Sequence, residues 1–366
     1  MVKIEGLDQM AYVLYTDIED MFLPARHSLV IGQPRSGKTS FLLKVTAKFY
    51  DMGEYVIIRD IGEFFEFFNL IDELNLPAIG FVPQGCHVKF SHPRFEEKEF
   101  DIFNLDSLFD QFERDRLNLI MFEGFSDLLE HHVWFWKEFF MRLLPWKRRP
   151  GNGAKRFCLI LDEFGDVAPG QGRYFIPEQS KTSQLIAVNH RKFRRHHVRM
   201  VAAVHYFRDI TPPLRERFDT YLVKKNYPNE KEVPLILRPY AKRFPKLEVN
   251  EAIFVDSKMN FNLIKVKELI KPLRYDGVEK RYIEVEGDVD EILLQGGKLK
   301  ETGVAEMKRV KQEDPAEPVF RKRLSKLVAY LTDTRKMTSA QIAAILGVSA
   351  STVRDWKAEL KAGVYD

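Results

Sequence analysis

Residues 29–49, LVIGQPRSGKTSFLLKVTAKF, decide how the rest of the chain is understood. An apolar run ends at Gly32, and Gly37, Lys38 and Thr39 stand at the head of an amphipathic stretch. The pattern G-x-x-x-x-G-K-[ST] needs each residue type for a physical reason. Glycines let successive backbone N–H groups turn inward around an anion where a Cβ would intrude. A helix beginning at the lysine adds partial positive charge. Gly32, Gln33, Pro34, Arg35, Ser36, Gly37, Lys38, Thr39 and Ser40 are therefore expected to cradle the phosphates of ATP. Lys38 would reach the β- and γ-phosphates and Thr39 would offer a hydroxyl to Mg²⁺.

Such a P-loop needs an acidic partner at the end of another buried strand, and FCLILDEFGD at 157–166 supplies it. Asp162 is expected to hold Mg²⁺ through water and Glu163 to polarise the attacking water as general base. An Asp-Glu pair after a strand can also simply cap a helix. Together with the phosphate loop it points to ATP hydrolysis, not binding alone.

Around these motifs, short β-rich runs alternate with helical patterns. Strands are expected near 28–31, 54–59, 118–123, 157–161, 199–204 and 219–224, and helices near 38–51, 63–74, 127–144 and 179–195. The expected fold is α/β: a RecA-like P-loop NTPase with a largely parallel sheet and helices on both faces, plus a small all-α domain. The ATPase domain would span 1–297. Within it the Phe-rich segment 75–117, with Pro77, Pro83 and Pro93, has the character of an insertion. Residues 298–319, polar and charged with two prolines, have the composition of a linker to a unit at 320–366.

Two further passages carry a family resemblance. RDIGEFFEF places Asp60, Gly62 and Glu63 in a D-x-x-G-E-[FY] pattern after the second strand. AVNHRKFRRHHVRMVAAVHYFRDITPPLRERFDTYLV follows the acidic pair. In order and spacing, residues 27–225 resemble the HerA/FtsK superfamily, ring ATPases that pump DNA. The resemblance implies a hexameric ring of identical chains around double-stranded DNA, with Arg191 reaching a neighbouring subunit's nucleotide. It places His205 where the family has a sensor glutamine; this departure leaves sensing to an imidazole. PPLRERFD also resembles the arginine-finger passage of AAA+ initiators and loaders, with Arg215 or Arg217 as the finger. The AAA+ reading leaves DIGEF unexplained. A nucleotide-switched DNA-binding regulator without motor action is the third class.

The net charge of +4 is unevenly placed. Residues 319–366 hold nine Lys/Arg against four Asp/Glu, while the remainder holds 48 against 49. In that basic tail, TSAQIAAILGVSASTVRDWKAELKA has the spacing of a helix-turn-helix. Ala343 is small at the helix crossing, Gly347 sits at the turn, and Ile342, Leu346, Val348, Val353 and Trp356 fall on packing faces. Ser351, Thr352, Arg354 and Lys357 would then face DNA.

Cys86 and Cys158 are too few for a disulfide framework or thiolate metal site, and no apolar run reaches 18 residues. A cytoplasmic setting is expected, and the HerA/FtsK resemblance implies packaging or replicon handling for a virus or mobile element, with a nuclease or capsid as partner. The adjacent pairs His131-His132 and His196-His197 make poor chelates. The basic stretch WKRRPGNGAKR at 146–156 offers either a channel loop or a solvated one.

Overall fold

The structure, a computed structural model, describes residues 27–61, 67–90, 92–170, 176–229, 231–255, 261–265 and 284–295. Gly62, Glu63 and the expected linker lie outside these, as do Ser351, Thr352, Arg354 and Lys357. Two units divide the chain, Met1–Ile292 and Leu293–Asp366, and the main sheet belongs to the first.

In chain order the elements are β1 (Ser28–Ile31), α1 (Lys38–Asp51), β2 (Tyr55–Arg59), α2 (Phe68–Asp72), β3 (Ala78–Pro83), β4 (His87–Lys89), β5 (Phe95–Phe100), α3 (Leu105–Asp110), β6 (Leu117–Ile120) and α4 (Leu129–Lys147). After these come β7 (Phe157–Leu161), α5 (Phe164–Val167), α6 (Pro177–Arg195), β8 (Val198–Val204), α7 (Pro212–Arg215), β9 (Thr220–Val223), β10 (Glu251–Val255), β11 (Phe261–Lys265), β12 (Glu284–Glu286) and α8 (Val289–Gln295).

Ten strands form one sheet in the order β11-β10-β9-β1-β8-β7-β2-β6-β3-β5. From β9 to β5 every neighbouring pair is parallel; β10 runs antiparallel to β9, and β11 to β10. This is the largely parallel α/β architecture that the alternating pattern implies. Its central strands are short apolar runs buried at every position, such as FCLIL in β7 and VRMVAAV in β8, as expected where both faces of a sheet are covered.

Several boundaries differ from expectation. β6 stops at Ile120, and residues 122–125 turn into a 3₁₀ helix that carries Glu123 inward instead of continuing the strand. Of the helix expected over 63–74, α2 occupies Phe68–Asp72. Within 75–117, β3 and β5 join the edge of the main sheet, which β6 continues.

Helix α4 supplies much of the core. Phe135, Trp136, Phe139, Phe140, Leu143 and Trp146 are all buried, and Phe109 meets Phe139 edge-on at 5.1 Å. At its end Lys147 is fully buried. Its amine donates to the carbonyl of Asn152 at 2.8 Å and lies 4.7 Å from the Phe157 ring centroid, and burial lowers its pKa to about 8. This lysine of the basic stretch thus braces the loop after α4.

Candidate active site

In a parallel sheet the carboxyl ends of the strands open into one crevice, and the strand order decides which residues meet there. β8 lies between β1 and β7. The residue after β8, His205, therefore stands between the phosphate loop after β1 and the acidic pair after β7.

The loop has the backbone its glycines allow. Gly37 sits at φ 83° and Arg35 at φ 64°. A Cβ on Gly32 would come 2.3 Å from Ser36 Oγ and 2.9 Å from Lys224 Cβ, so a side chain there would push both residues aside. Lys38 opens α1, whose first turn has neither a side-chain cap nor an acidic residue, leaving its N–H groups for an anion.

Lys38 Nζ is 2.7 Å from His205 Nδ1, and His205 Nε2 is 2.9 Å from Glu163 Oε1. An ammonium can only donate, so Nδ1 accepts and Nε2–H donates to the carboxylate. The hydrogen bond to Glu163 raises the His205 pKa, opposed by burial and by the Lys38 charge. Burial pushes Glu163 upward, but the His205 hydrogen bond and the charges of Lys38 and Arg59 bring it below the usual carboxylate value.

Asp162 is buried beneath them. Thr39 Oγ1 donates to its Oδ2 at 3.1 Å, and the Glu163 N–H donates to its Oδ1 at 2.9 Å. Burial and then the neighbouring Glu163 charge raise its pKa, the mark of a carboxylate short of positive charge. A hydroxyl and a carboxylate oxygen brought together in this way fit the hard-oxygen preference of Mg²⁺.

Two residues not anticipated as functional hold this arrangement. Arg59, at the end of β2 and fully buried, makes a two-pronged pair with Glu123: Nε to Oε1 at 2.6 Å and Nη2 to Oε2 at 2.8 Å. Its Nη1 donates to the carbonyls of both Asp162 and Glu163 at 2.7 Å. Trp136 Nε1–H also donates to Glu123. Glu163 has φ 44°, a left-handed backbone costing a non-glycine residue about 1–3 kcal/mol, and the Arg59 clamp on its carbonyl stabilises it. The available sequence signal was an arginine closing the apolar run YVII and an acid closing LNLIMF.

Arg191 is elsewhere. α6 ends at Arg195 and β8 begins at Val198, so the end of α6 lies at the amino edge of the sheet, away from this chain's own phosphate loop. There Arg191, Arg194, Arg195 and Arg217, with Glu216 and Asp219, line a cavity of about 550 Å³. Arg194 pairs with Asp219. Arg215 turns inward, buried, with Nη1 on the Phe207 carbonyl at 3.1 Å, whereas Arg217 is exposed. Beside the cavity His27 is buried and neutral: its Nδ1 accepts from the Met200 N–H at 3.1 Å and its Nε2–H donates to the His190 carbonyl at 2.9 Å. Burial takes its pKa down to about 4.

Among the described residues no group of three or more His, Cys, Asp or Glu could hold a metal ion, and no helix is long and apolar enough to cross a membrane. His131 and His132 instead bond separately, to Asp290 and to the Ser126 carbonyl.

No family model matches the sequence, and no curated protein does. Among solved structures the chain is similar to the genome packaging NTPase B204 from Sulfolobus turreted icosahedral virus 2 in complex with ATP-gammaS, at 14% identity over 69% of this chain and 100% of that one, with a TM-score of 0.41. VirB4 of Thermoanaerobacter pseudethanolicus matches at 10% identity over 66% of this chain and 89% of that one, TM-score 0.45. EccC ATPases 2 and 3 of Thermomonospora curvata, in complex with a signal sequence peptide, match at 12% identity over 67% and 37%, TM-score 0.36.

Proposed function

We propose that this chain is an ATP-hydrolysing motor of the HerA/FtsK type that moves double-stranded DNA as a ring of identical subunits, in genome packaging or replicon handling. The observation that carries the reading is the chain Lys38–His205–Glu163 laid across a P-loop, with Thr39 and Asp162 together at its foot.

In this reading Gly32 to Ser40 hold the ATP phosphates. Thr39 and Asp162 would hold Mg²⁺, which would neutralise part of the phosphate charge. Incoming phosphate competes with His205 Nδ1 for the Lys38 ammonium. Once Lys38 turns to the phosphate, His205 keeps its Nε2–H on one oxygen of Glu163, and the other oxygen polarises the attacking water as general base. Arg59 keeps the Glu163 backbone in place throughout.

Arg191, facing away from its own loop, serves the nucleotide of an adjacent copy, so that turnover requires assembly. Arg215 is ill placed for that task because its guanidinium is buried within its own chain. The basic tail with Ser351, Thr352, Arg354 and Lys357 recruits the DNA as a helix-turn-helix, and several tethered copies raise its effective concentration there.

The test combines sedimentation of the full chain, ATP hydrolysis with and without duplex, and triplex displacement. Assembly with ATP, duplex-stimulated turnover and ATP-dependent displacement are expected. A protein that stays a single chain with nucleotide and DNA, and hydrolyses at a rate indifferent to duplex, overturns the motor reading.

A further inference from the structure

On the side of the phosphate loop opposite His205, β9 runs parallel to β1 with Val223 level with Ile31. The residues after the two strands therefore lie side by side. The Lys224 N–H donates to the Ile31 carbonyl at 2.8 Å, and the Lys225 carbonyl accepts from the Gln33 N–H at 3.0 Å. The Lys224 side chain runs along the loop. A Cβ placed on Gly32 would stand 2.9 Å from Lys224 Cβ, and one placed on Gly37 would stand 3.4 Å from Lys224 Cε.

The amine at the end of that stem is fully buried and has no hydrogen-bond partner. Two more buried polar atoms nearby share that state: Ser36 Oγ in the loop itself and Asn226 Oδ1 two residues on. Burying an ammonium without a counter-charge costs several kcal/mol, so such a group is retained where an anion arrives to satisfy it. Burial, and then the charge of Lys38 on α1, lowers the Lys224 pKa to about 8. The loop residues Gly32 and Gly37, along which its stem runs, carry no charge. His205, whose carbonyl Asn226 holds, turns its ring instead to Lys38 and Glu163.

We propose that Lys224 is a second nucleotide-binding lysine, whose amine pairs with the phosphate chain of a nucleoside di- or triphosphate from the side of the loop opposite His205. The proposal rests on the reading of residues 32–40 as a nucleotide site. It adds that binding there is linked to proton uptake, because an amine partly neutral in the empty site becomes fully charged against phosphate.

Calorimetric titration of the full chain with ADP, in two buffers of different ionisation enthalpy, measures this linkage directly. The wild type is expected to take up part of a proton per ADP at pH 8.5 and less at pH 7.0. Lys224→Met, which removes a buried amine and keeps the stem, should abolish the uptake and weaken ADP about 10- to 100-fold at pH 7.0. Its melting temperature without nucleotide should be unchanged or higher, which a merely structural lysine would not give. Equal ADP affinity in Lys224→Met overturns the role of Lys224 and leaves the nucleotide site standing; ADP binding by the wild type without proton uptake at pH 8.5 overturns the linkage. If the wild type binds no ADP, the nucleotide site itself falls, and the role of Lys224 with it.

Discussion

At the carboxyl edge of the sheet Arg59 is matched by Glu123 and Glu163 by His205 from within the chain, while Asp162 has only the Thr39 hydroxyl and the buried Lys224 amine has no partner. At the amino edge four arginines crowd a cavity with only Glu216 and Asp219 for company, and the adjacent His27 and His190 are held neutral by burial. The first edge is preorganised around a small anion, its loop backbone and Arg59 clamp in place before the ligand arrives and the Lys38 side chain left to turn. The second carries surplus positive charge on exposed side chains, a surface completed by something outside the chain.

The sharpest way to break this contrast is at Glu163. Glu163→Gln keeps a hydrogen-bond acceptor for His205 and should lower the ATP hydrolysis rate about 10²- to 10⁴-fold while nucleotide affinity stays within about threefold. Unchanged turnover would remove the carboxylate from the chemistry. Arg59→Met comes next. It strands Glu123 as an unpaired buried charge and should cost about 3–5 kcal/mol in urea unfolding, part of which the double variant with Glu123→Gln restores.

The amino edge gives a smaller, pH-dependent signal. His27 has a folded pKa of about 4 against an ordinary 6.5, so unfolding takes up a proton between those values. The His27 contribution to stability is then full above pH 6.5 and declines as pH falls toward 4, by up to about 3 kcal/mol, measurable as the difference between wild type and His27→Gln in denaturant titrations across that range. A difference that does not change with pH would show that His27 is not held neutral. The smallest effect is expected at Arg194→Ala, which breaks the partly exposed pair with Asp219 and should change stability by less than about 1 kcal/mol.

The sequence made some of this legible and hid the rest for identifiable reasons. Gly32 to Thr39 could be interpreted because consecutive residues make the cradle, and β7 because an uninterrupted apolar run can only be a buried strand or helix segment. The alliance of Arg59 with Glu123, and the position of Lys224 beside the loop, depend on which strands become neighbours. That order is set by packing over the whole domain, and nothing local to YVIIR or TYLVK encodes it. Each showed itself only as a charged residue closing an apolar strand. The role expected of Glu163 likewise follows from its chemistry, but its left-handed backbone does not.

The outermost strand carries one more consequence. β5, FEEKEF, ends the sheet with Glu96, Glu97, Lys98 and Glu99 in succession. Two such strands laid edge to edge would confront carboxylate with carboxylate along the hydrogen-bonding direction, which discourages fibril-like growth by strand addition.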